Sequence, residues 1–167
     1  MGGSIAFTSQ EGVGSQFVIH IPFKIDEEHK NERVKESASA SIEGLSVLLV
    51  EDNELNMEIA RFIIENEGAR VTCATNGKEA VDIYKNAPES FDIILMDIMM
   101  PEMDGLQATQ VIRSFDHDIP IVAMTANAFM EDKIKAKKAG MNAHVSKPLD
   151  RNILIQVIAK LCGYKNV

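Results

Sequence analysis

The fold is decided by residues 91–105, which read Phe-Asp-Ile-Ile-Leu-Met-Asp-Ile-Met-Met-Pro-Glu-Met-Asp-Gly. The apolar run 93–96 is short and rich in β-branched and large side chains, which predicts a strand buried on both faces. The run ends on Asp97, and the turn residues Pro101 and Asp104-Gly105 then lead into a helix. Open α/β sheets bind ligands beyond the carboxyl ends of their strands. Asp97 is therefore a candidate functional carboxylate, with a simple turn or helix cap as the alternative.

The same alternation of strand and helix extends over residues 45–163. Strands are predicted at 47–50, 70–74, 93–96, 121–124 and 143–145, and helices begin near Glu54, Asn76, Asp104, Phe129 and Asp150. The second strand alternates apolar and polar residues, as at a sheet edge. Five such repeats predict an α/β domain with a doubly wound parallel sheet.

Apolar residues recur at helical spacing in four of these helices, and those of the second and third helices are predicted to face inward. The recurring residues are Leu55, Ile59, Phe62 and Ile63 in the first helix, Ala80, Val81 and Tyr84 in the second, Ala108, Val111, Ile112 and Phe115 in the third, and Ile153, Leu154, Val157, Ile158 and Leu161 in the fifth.

Polar residues follow four of the predicted strands. They are Glu51 and Asp52, Asp97, Thr125, and Lys147. Right-handed crossovers place the carboxyl ends of parallel strands at one edge, so these side chains should converge. Clustered carboxylates repel one another unless a cation lies among them, and oxygen ligands suit Mg²⁺. An aspartate beside a metal, a lysine and a threonine can attack a phosphoryl donor and form an aspartyl-phosphate.

Composition excludes several classes of protein. The net charge of −8 argues against a nucleic-acid-binding protein. Cys73 and Cys162 provide neither a disulfide framework nor a zinc site, which favours a reducing cytoplasm. No apolar run reaches membrane-spanning length and no signal-peptide pattern occurs. We expect a soluble, cytoplasmic chain without membrane contact, which leaves open a membrane anchor in a longer parent protein.

The N-terminal part differs from the α/β pattern. Residues 2–23 contain two alternating apolar runs around a Gly-rich turn, which predicts a β-hairpin. Residues 24–43 are first densely charged and then rich in Ser and Ala, which predicts a linker. The predicted organisation is thus a hairpin over 1–23, a linker over 24–43 and an α/β domain over 44–167.

Residues 45–163 resemble the receiver domain of two-component response regulators. The resemblance rests on Glu51-Asp52-Asn53, on residues 97–105, on Met124-Thr125-Ala126-Asn127-Ala128 and on Val145-Ser146-Lys147-Pro148. It implies a flavodoxin-like (βα)₅ fold whose strands, numbered along the domain, lie in the order 2-1-3-4-5.

The resemblance also implies a role for each residue of the predicted edge. Asp97 is the implied phosphoacceptor. Glu51, Asp52, Asp97 and the backbone carbonyl of Met99 are the implied ligands of Mg²⁺. Thr125 and Lys147 are implied to hold the phosphoryl group, and the Lys147–Pro148 peptide bond to be cis.

One residue departs from the family pattern. Receivers usually carry Tyr or Phe three residues before the lysine, as a switch coupled to the threonine, and this chain has His144. Imidazole is smaller and titrates near neutral pH. The interpretations of His144 are a switch residue acting with Thr125 or a residue that only packs at the sheet edge.

The hairpin has a resemblance of its own. Gly2 to Ile5, Ser9, Gly12 to Phe17 and Ile21 to Phe23 resemble the last two strands of a histidine-kinase ATP-binding domain. The family's ATP-binding motifs and phosphoaccepting histidine are missing from this chain, which therefore should not bind ATP. The order of kinase remnant, linker and receiver is that of a hybrid sensor histidine kinase.

The predicted function is Mg²⁺-dependent transfer of a phosphoryl group from a phosphohistidine to Asp97. The group then passes to a histidine phosphotransfer protein or is lost by slow autodephosphorylation. The implied partners are the phosphohistidine domain of a histidine kinase and a phosphotransfer protein. Nucleic acid is not expected to bind, and a weak homodimer is left open. The alternatives are a metal-dependent phosphohydrolase and a non-phosphorylated interaction domain. Such hydrolases often have a second Asp two residues after the nucleophile, where this chain has Met99.

Three other features have simpler interpretations. Lys133, Lys135, Lys137 and Lys138 form a solvated helix face or a docking site. The methionines of residues 96–103 are interpreted as filling the core and loops, because thioethers without a cluster of His or Cys do not suggest a metal site. Phe129 and Met130 are interpreted as ordinary packing residues. Residues 12–15 suit a hairpin loop better than a phosphate loop.

Overall fold

A five-stranded parallel sheet lies in the larger of two units into which the chain divides, residues 38–167, and the smaller unit spans residues 1–37. The computed structural model describes residues 2–12, 14–22, 41–126 and 130–163, without the side chains of 130–132. Most of the predicted linker and the predicted packing of Phe129 and Met130 lie outside the described residues.

The smaller unit contains a β-hairpin. Strands β1 (Ser4–Gln10) and β2 (Gly14–His20) pair antiparallel, from Ser4 opposite His20 to Gln10 opposite Gly14. The rings of Phe7 and Phe17 stack with their centroids 5.9 Å apart. The residues of both strands are exposed along their length, the two stacked phenylalanines included.

The larger unit alternates strands and helices as predicted. Its elements are β3 (Ser46–Val50), α1 (Glu54–Glu65), β4 (Arg70–Ala74), α2 (Gly77–Asn86), a short 3-10 helix (Pro88–Ser90), β5 (Ile93–Asp97), α3 (Gly105–Arg113), β6 (Ile121–Thr125), α4 (Met130–Ala139), β7 (Ala143–Ser146) and α5 (Arg151–Leu161). The strands lie in the order β4-β3-β5-β6-β7. Counted within this unit, that is the predicted order 2-1-3-4-5, which is confirmed.

The core is split between the two faces of the sheet. One face packs Leu48, Val50, Ile94 and Met96 against α2, α3 and α4. The other packs Val47, Leu49, Ile93 and Leu95 against α1 and α5. All residues of the central strands β5 and β6 are buried, whereas the edge strand β4 is buried only at Ala74. This pattern explains why the central strands are continuous apolar runs and the edge strand alternates.

Side-chain caps fix where four helices begin. Asn53, Asn76, Asp104 and Asp150 each accept a hydrogen bond from the backbone amide three residues later. Such caps satisfy amides that have no partner within the helix. Because the caps follow closely on strand ends or loops, they set the helix starts near the carboxyl edge of the sheet.

Only one of the four apolar residues predicted at helical spacing in α1 packs against the core, namely the half-buried Ile63. Leu55, Ile59 and Phe62 have exposed fractions of 64%, 46% and 68%, whereas Ala60 and Ile64 are buried. A helix turns by about 100° per residue, so the stripe of Leu55, Ile59 and Phe62 lies nearly opposite to Ala60 and Ile64. The helix carries two apolar stripes, and periodicity alone could not decide which one faces the sheet.

A smaller correction applies to α3, and α5 shows a similar pattern. Val111 and Phe115 were predicted to face inward but are exposed, whereas Ala108 and Ile112 are buried as predicted. In the periodic run of α5, Ile153 is exposed and Leu154 and Ile158 are buried. Phe115 still contributes to packing, because its ring stacks on Tyr84 at 6.2 Å. In each of these helices, the apolar residues span a wider face than the part that the sheet covers. No described helix has the length and apolar character needed to cross a membrane.

Candidate functional site

The predicted polar residues meet at the carboxyl edge of the sheet. Glu51 and Asp52 follow β3, Asp97 ends β5, Thr125 ends β6 and Lys147 follows β7. Strand register places Asp97 opposite Met124 and Thr125 opposite Ser146.

Three carboxylates form the centre of the site. One oxygen from each of Glu51, Asp52 and Asp97 lies within 4.8 Å of the others. Glu51 and Asp97 are only 2% and 5% exposed, whereas Asp52 is exposed. Two buried acids this close need compensating positive charge, because ionised carboxylates repel one another and lose hydration on burial.

Lys147 provides that charge. Its Nζ lies 2.5 Å from Oε2 of Glu51 and 2.6 Å from Oδ2 of Asp97. One ammonium group thus bridges the ends of the adjacent strands β3 and β5. The backbone amide of Lys147 donates to the carbonyl of Thr125 at 2.8 Å, and the Lys147–Pro148 peptide bond is cis.

The remaining oxygen of each buried carboxylate accepts a neutral donor. The amide of Asn56 donates to Oε1 of Glu51 at 3.1 Å. The backbone amide of Met99 donates to Oδ1 of Asp97 at 3.2 Å. Both acids are therefore held at both oxygens, as buried polar groups usually are.

The pairing affects the acid strength of both partners. Burial raises the pKa of Asp97 above its ordinary value, and Glu51 raises it further, while Lys147 and the Met99 amide limit the rise. Burial opposes the charge of Lys147, but the bonds to Asp97 and Glu51 outweigh it and raise the pKa of this lysine. Lys147 thus stays charged, and Asp97 is a more basic carboxylate than an exposed aspartate.

The loop after Asp97 closes back on its own strand. The Gly105 amide donates to the carbonyl of Ile98 at 3.0 Å, and Met103 donates to Pro101 at 2.7 Å. Glu102 lies in the left-handed region with φ of 64°. The Gly77 amide at the start of α2 donates to the carbonyl of Met103 at 3.1 Å, which fixes the loop from the other side.

His144 lies on the edge strand β7. It pairs with Ala123 and is exposed, in a groove lined also by Lys133 and Lys137 of α4. Partial desolvation in this groove, and then the charge of Lys133, lower the pKa of His144 below its ordinary value. The structure thus gives His144 a basic neighbourhood, and its role as a switch stays a prediction.

Asn56 was missed by the sequence interpretation. It is the third residue of α1, and its side chain reaches back to Glu51 in the preceding loop. The available signal was an amide side chain in the first turn of a helix that begins directly after the acidic pair. The pattern of strand ends did not include it, because Asn56 follows no strand.

The donor set fits a hard cation. Carboxylate oxygens are the ligands that Mg²⁺ prefers, and it commonly binds through a few carboxylates and water. Glu51, Asp52 and Asp97 offer such oxygens within reach of one ion. The role of the Met99 carbonyl as a further ligand stays a prediction.

Comparison with known proteins gives one consistent family. A family model described as the response regulator receiver domain matches residues 47–159. The aerobic respiration control sensor protein ArcB of Escherichia coli K12 is 38% identical over 163 residues, covering 96% of this chain and 20% of that protein. Hybrid signal transduction histidine kinase M of Dictyostelium discoideum is 40% identical over 125 residues, covering 72% of this chain and 5% of that protein. The chain thus spans a fifth or less of these two relatives.

Solved structures agree with the fold. The receiver domain of a sensor histidine kinase from Pseudomonas aeruginosa PAO1, crystallised with magnesium in its active site cleft, is 36% identical with a TM-score of 0.67. The match covers 72% of this chain and 98% of that domain. The receiver domain of Ssk1 from Saccharomyces cerevisiae, crystallised with the histidine phosphotransfer protein Ypd1, is 30% identical with a TM-score of 0.66, covering 71% and 89%.

Proposed function

Because the chain belongs to the response regulator receiver domain family, we propose that Asp97 accepts a phosphoryl group from a phosphohistidine of a partner protein. The observation that carries this proposal is the buried Asp97 carboxylate, held by Lys147 and the Met99 amide beside two further acids. Lys147 and the Met99 amide hold its two oxygens, so the carboxylate is oriented before a phosphoryl donor arrives.

The proposed step is a direct displacement at phosphorus. An oxygen of Asp97 forms a bond to the phosphorus, the bond from phosphorus to the histidine nitrogen breaks, and the electron pair returns to the imidazole. The product is an acyl phosphate on Asp97. Lys147 pairs with one phosphoryl oxygen and the Thr125 hydroxyl donates to another, so the chain's contribution is mainly positioning and charge compensation.

The carboxylates of Glu51, Asp52 and Asp97, with the Met99 carbonyl, would hold Mg²⁺. When bound, the ion offsets the negative charge that the carboxylates and the phosphoryl group bring together. Asp52 is the acid most open to solvent and so the first that an arriving cation meets.

After phosphorylation, we propose that α4, β7 and α5 shift, with Thr125 and His144 as the residues that report the change. The phosphoryl group then passes to a histidine phosphotransfer protein or is lost slowly to water. The Ssk1 receiver, crystallised with such a partner, supports this assignment.

We also propose that the chain is part of a cytoplasmic hybrid histidine kinase. Residues 44–167 are assigned to the receiver, 24–43 to a linker and 1–23 to a remnant of the kinase ATP-binding domain. The match to ArcB supports this order, because it covers 96% of the chain and therefore includes most of the part before the receiver. The exposed apolar side chains of the hairpin, Phe7 and Phe17 among them, are what a strand pair taken from a larger sheet would show.

Phosphorylation tests the proposal directly. Intact mass is measured after treatment with a small acyl phosphate and Mg²⁺. We expect wild type and the control Asp82→Asn, an exposed acid of α2, to gain one phosphoryl group, and Asp97→Ala to gain none. A wild type that never gains the group, or an Asp97→Ala variant that does, would show the proposal to be wrong.

The outer stripe of α1, formed by Leu55, Ile59 and Phe62, is the proposed docking surface for the phosphohistidine partner. It is apolar, exposed and next to the site, because Ile59 lines the same small cleft as Glu51 and Lys147. We expect Phe62→Ser to slow transfer from a phosphohistidine protein at least about tenfold, as loss of an interface anchor does, without slowing phosphorylation by the small acyl phosphate.

The matched control for the docking surface is Val111→Ser, an exposed apolar residue of α3 on the opposite face of the sheet. It should leave both rates unchanged. Equal slowing by the two variants, or slowing of the small-molecule reaction by Phe62→Ser, would contradict the assignment.

A further inference from the structure

We propose that Asn56 is a positioning residue that fixes the Glu51 carboxylate for Mg²⁺ and for Lys147. The inference rests on the proposed function, because Glu51 matters only as part of the phosphoryl site. Its basis is the hydrogen bond from the Asn56 side-chain amide to Oε1 of Glu51, at 3.1 Å.

The start of α1 holds Asn56 in place. Oδ1 of Asn53 accepts a hydrogen bond from the backbone amide of Asn56 at 3.0 Å. The next residue, Met57, donates its backbone amide to the carbonyl of Asn53 at 2.9 Å. The first turn is thus anchored at two points, and the Asn56 side chain is aimed back at Glu51 by a rigid element rather than by a mobile loop.

Glu51 requires both of its donors. Its carboxylate is 2% exposed, so water cannot easily replace a lost hydrogen bond. Oε2 is held by Lys147, which is also bonded to Asp97, and Oε1 by Asn56. The bridging lysine therefore constrains only one oxygen of Glu51, and the rotation of the carboxylate about its own axis is fixed by Asn56.

The importance of Asn56 increases when the site is used. Lys147 must turn toward a phosphoryl oxygen once Asp97 is modified, which weakens its hold on Glu51. The amide of Asn56 can stay in place, because its hydrogen bond is to Glu51, whereas the bond that must change is the one between Lys147 and Asp97. A neutral amide is also suited to this position, since it satisfies the carboxylate without adding positive charge that would compete with Mg²⁺.

The test measures Mg²⁺ affinity by calorimetry on the full chain, which requires no phosphoryl transfer. We expect Asn56→Ala to weaken binding about tenfold, in the range seen when a group that orients a metal ligand is lost. Asn56→Gln, which keeps an amide donor on a longer side chain, should bind Mg²⁺ more tightly than the Ala variant. Alanine is favourable within helices, so the variant should remain folded, as circular dichroism would verify.

A double-mutant cycle separates positioning from a merely structural role. If Asn56 acts through Glu51, Asn56→Ala should have little further effect on Mg²⁺ affinity in a Glu51→Gln background. The matched control is Gln107→Ala, which removes an exposed amide from the corresponding position of α3. It should leave Mg²⁺ affinity unchanged.

Phosphorylation by the small acyl phosphate gives the kinetic readout. The Mg²⁺ concentration for half-maximal rate should rise about tenfold in Asn56→Ala, with the rate at saturating Mg²⁺ nearly restored. The proposal is overturned if Asn56→Ala leaves Mg²⁺ affinity unchanged, or if it weakens Mg²⁺ binding just as much in the Glu51→Gln background. It is also overturned if Gln107→Ala weakens Mg²⁺ binding equally, or if Asn56→Gln binds Mg²⁺ no more tightly than Asn56→Ala. A wild type that binds Mg²⁺ but is never phosphorylated would instead count against the proposed function.

Discussion

At the scale of single residues, the position of Asp97 depends on the absence of a side chain at Gly105. A Cβ atom at Gly105 would lie 2.0 Å from the carbonyl oxygen of Asp97 and 2.9 Å from Cγ of Met96. Neither backbone nor buried methionine can move away cheaply in a close-packed core. The first turn of α3 therefore approaches the end of β5 more closely than any side chain would allow.

We expect Gly105→Ala to lower the free energy of unfolding by about 1–3 kcal/mol, the usual cost of overpacking, and to slow phosphorylation because Asp97 shifts. Urea unfolding and the acyl phosphate assay measure the two effects. The control is Gly44→Ala, where φ is 79° but a Cβ would meet no atom within 4 Å. It should cost roughly 1 kcal/mol through backbone strain and leave the phosphorylation rate unchanged.

His144 provides a pH-dependent test of the groove beside α4. Its pKa is lowered by partial desolvation and by Lys133, so the folded chain disfavours protonated His144. Neutral His144 contributes its full share to the free energy of unfolding at pH values above its ordinary pKa of 6.5. That contribution is lost as the pH falls through the lower pKa of the folded state.

Removing the positive charge of Lys133 should therefore raise the pKa of His144. We expect this in Lys133→Met, measured by NMR titration of the imidazole protons, together with a smaller loss of stability on acidification. Lys78→Met, an exposed lysine of α2, should leave the titration unchanged. An unmoved titration in Lys133→Met would show that Lys133 does not contribute to the lowered pKa of His144.

Residues at strand ends were the predictable part of the site. Glu51, Asp52, Asp97, Thr125 and Lys147 each follow or end a predicted strand, and a parallel sheet brings such positions together. Asn56 could not be found in this way, because its role depends on the direction of a side chain in the first turn of α1. The pairing of Lys147 with Glu51 and Asp97 likewise required the geometry rather than the order of residues.

At the scale of elements, the beginnings of helices were predicted better than their buried faces. Capping side chains act locally, so Asn53, Asn76, Asp104 and Asp150 mark helix starts in the sequence itself. The face that a helix buries depends on how it crosses the sheet, which is a property of the whole packing. This is why α2 was predicted correctly and α1, with apolar residues on opposite sides, was not.

At the scale of the whole molecule, the chain divides into two units with separate internal packing. The larger one has a core on both faces of its sheet. We expect a chain that begins at Ser41 to fold on its own, with a melting temperature within about 2 °C of the full chain, because a domain with its own core can fold alone.

Thermal unfolding and the acyl phosphate assay check this expectation. The shortened chain should also be phosphorylated at the rate of the full chain. A melting temperature lower by about 5 °C or more, which corresponds to roughly 1 kcal/mol in a domain of this size, would show that the N-terminal unit stabilises the receiver.

The outer stripe of α1 has a consequence for how this domain can change over generations. Leu55, Ile59 and Phe62 project from the helix without contributing to the buried core, so replacing them costs little folding stability. A duplicated copy of the gene could alter these positions and acquire a different partner while Asp97, Lys147 and the sheet beneath them stay the same. With the proposed docking surface on α1, signalling routes would diverge while the phosphoryl-transfer chemistry is inherited unchanged.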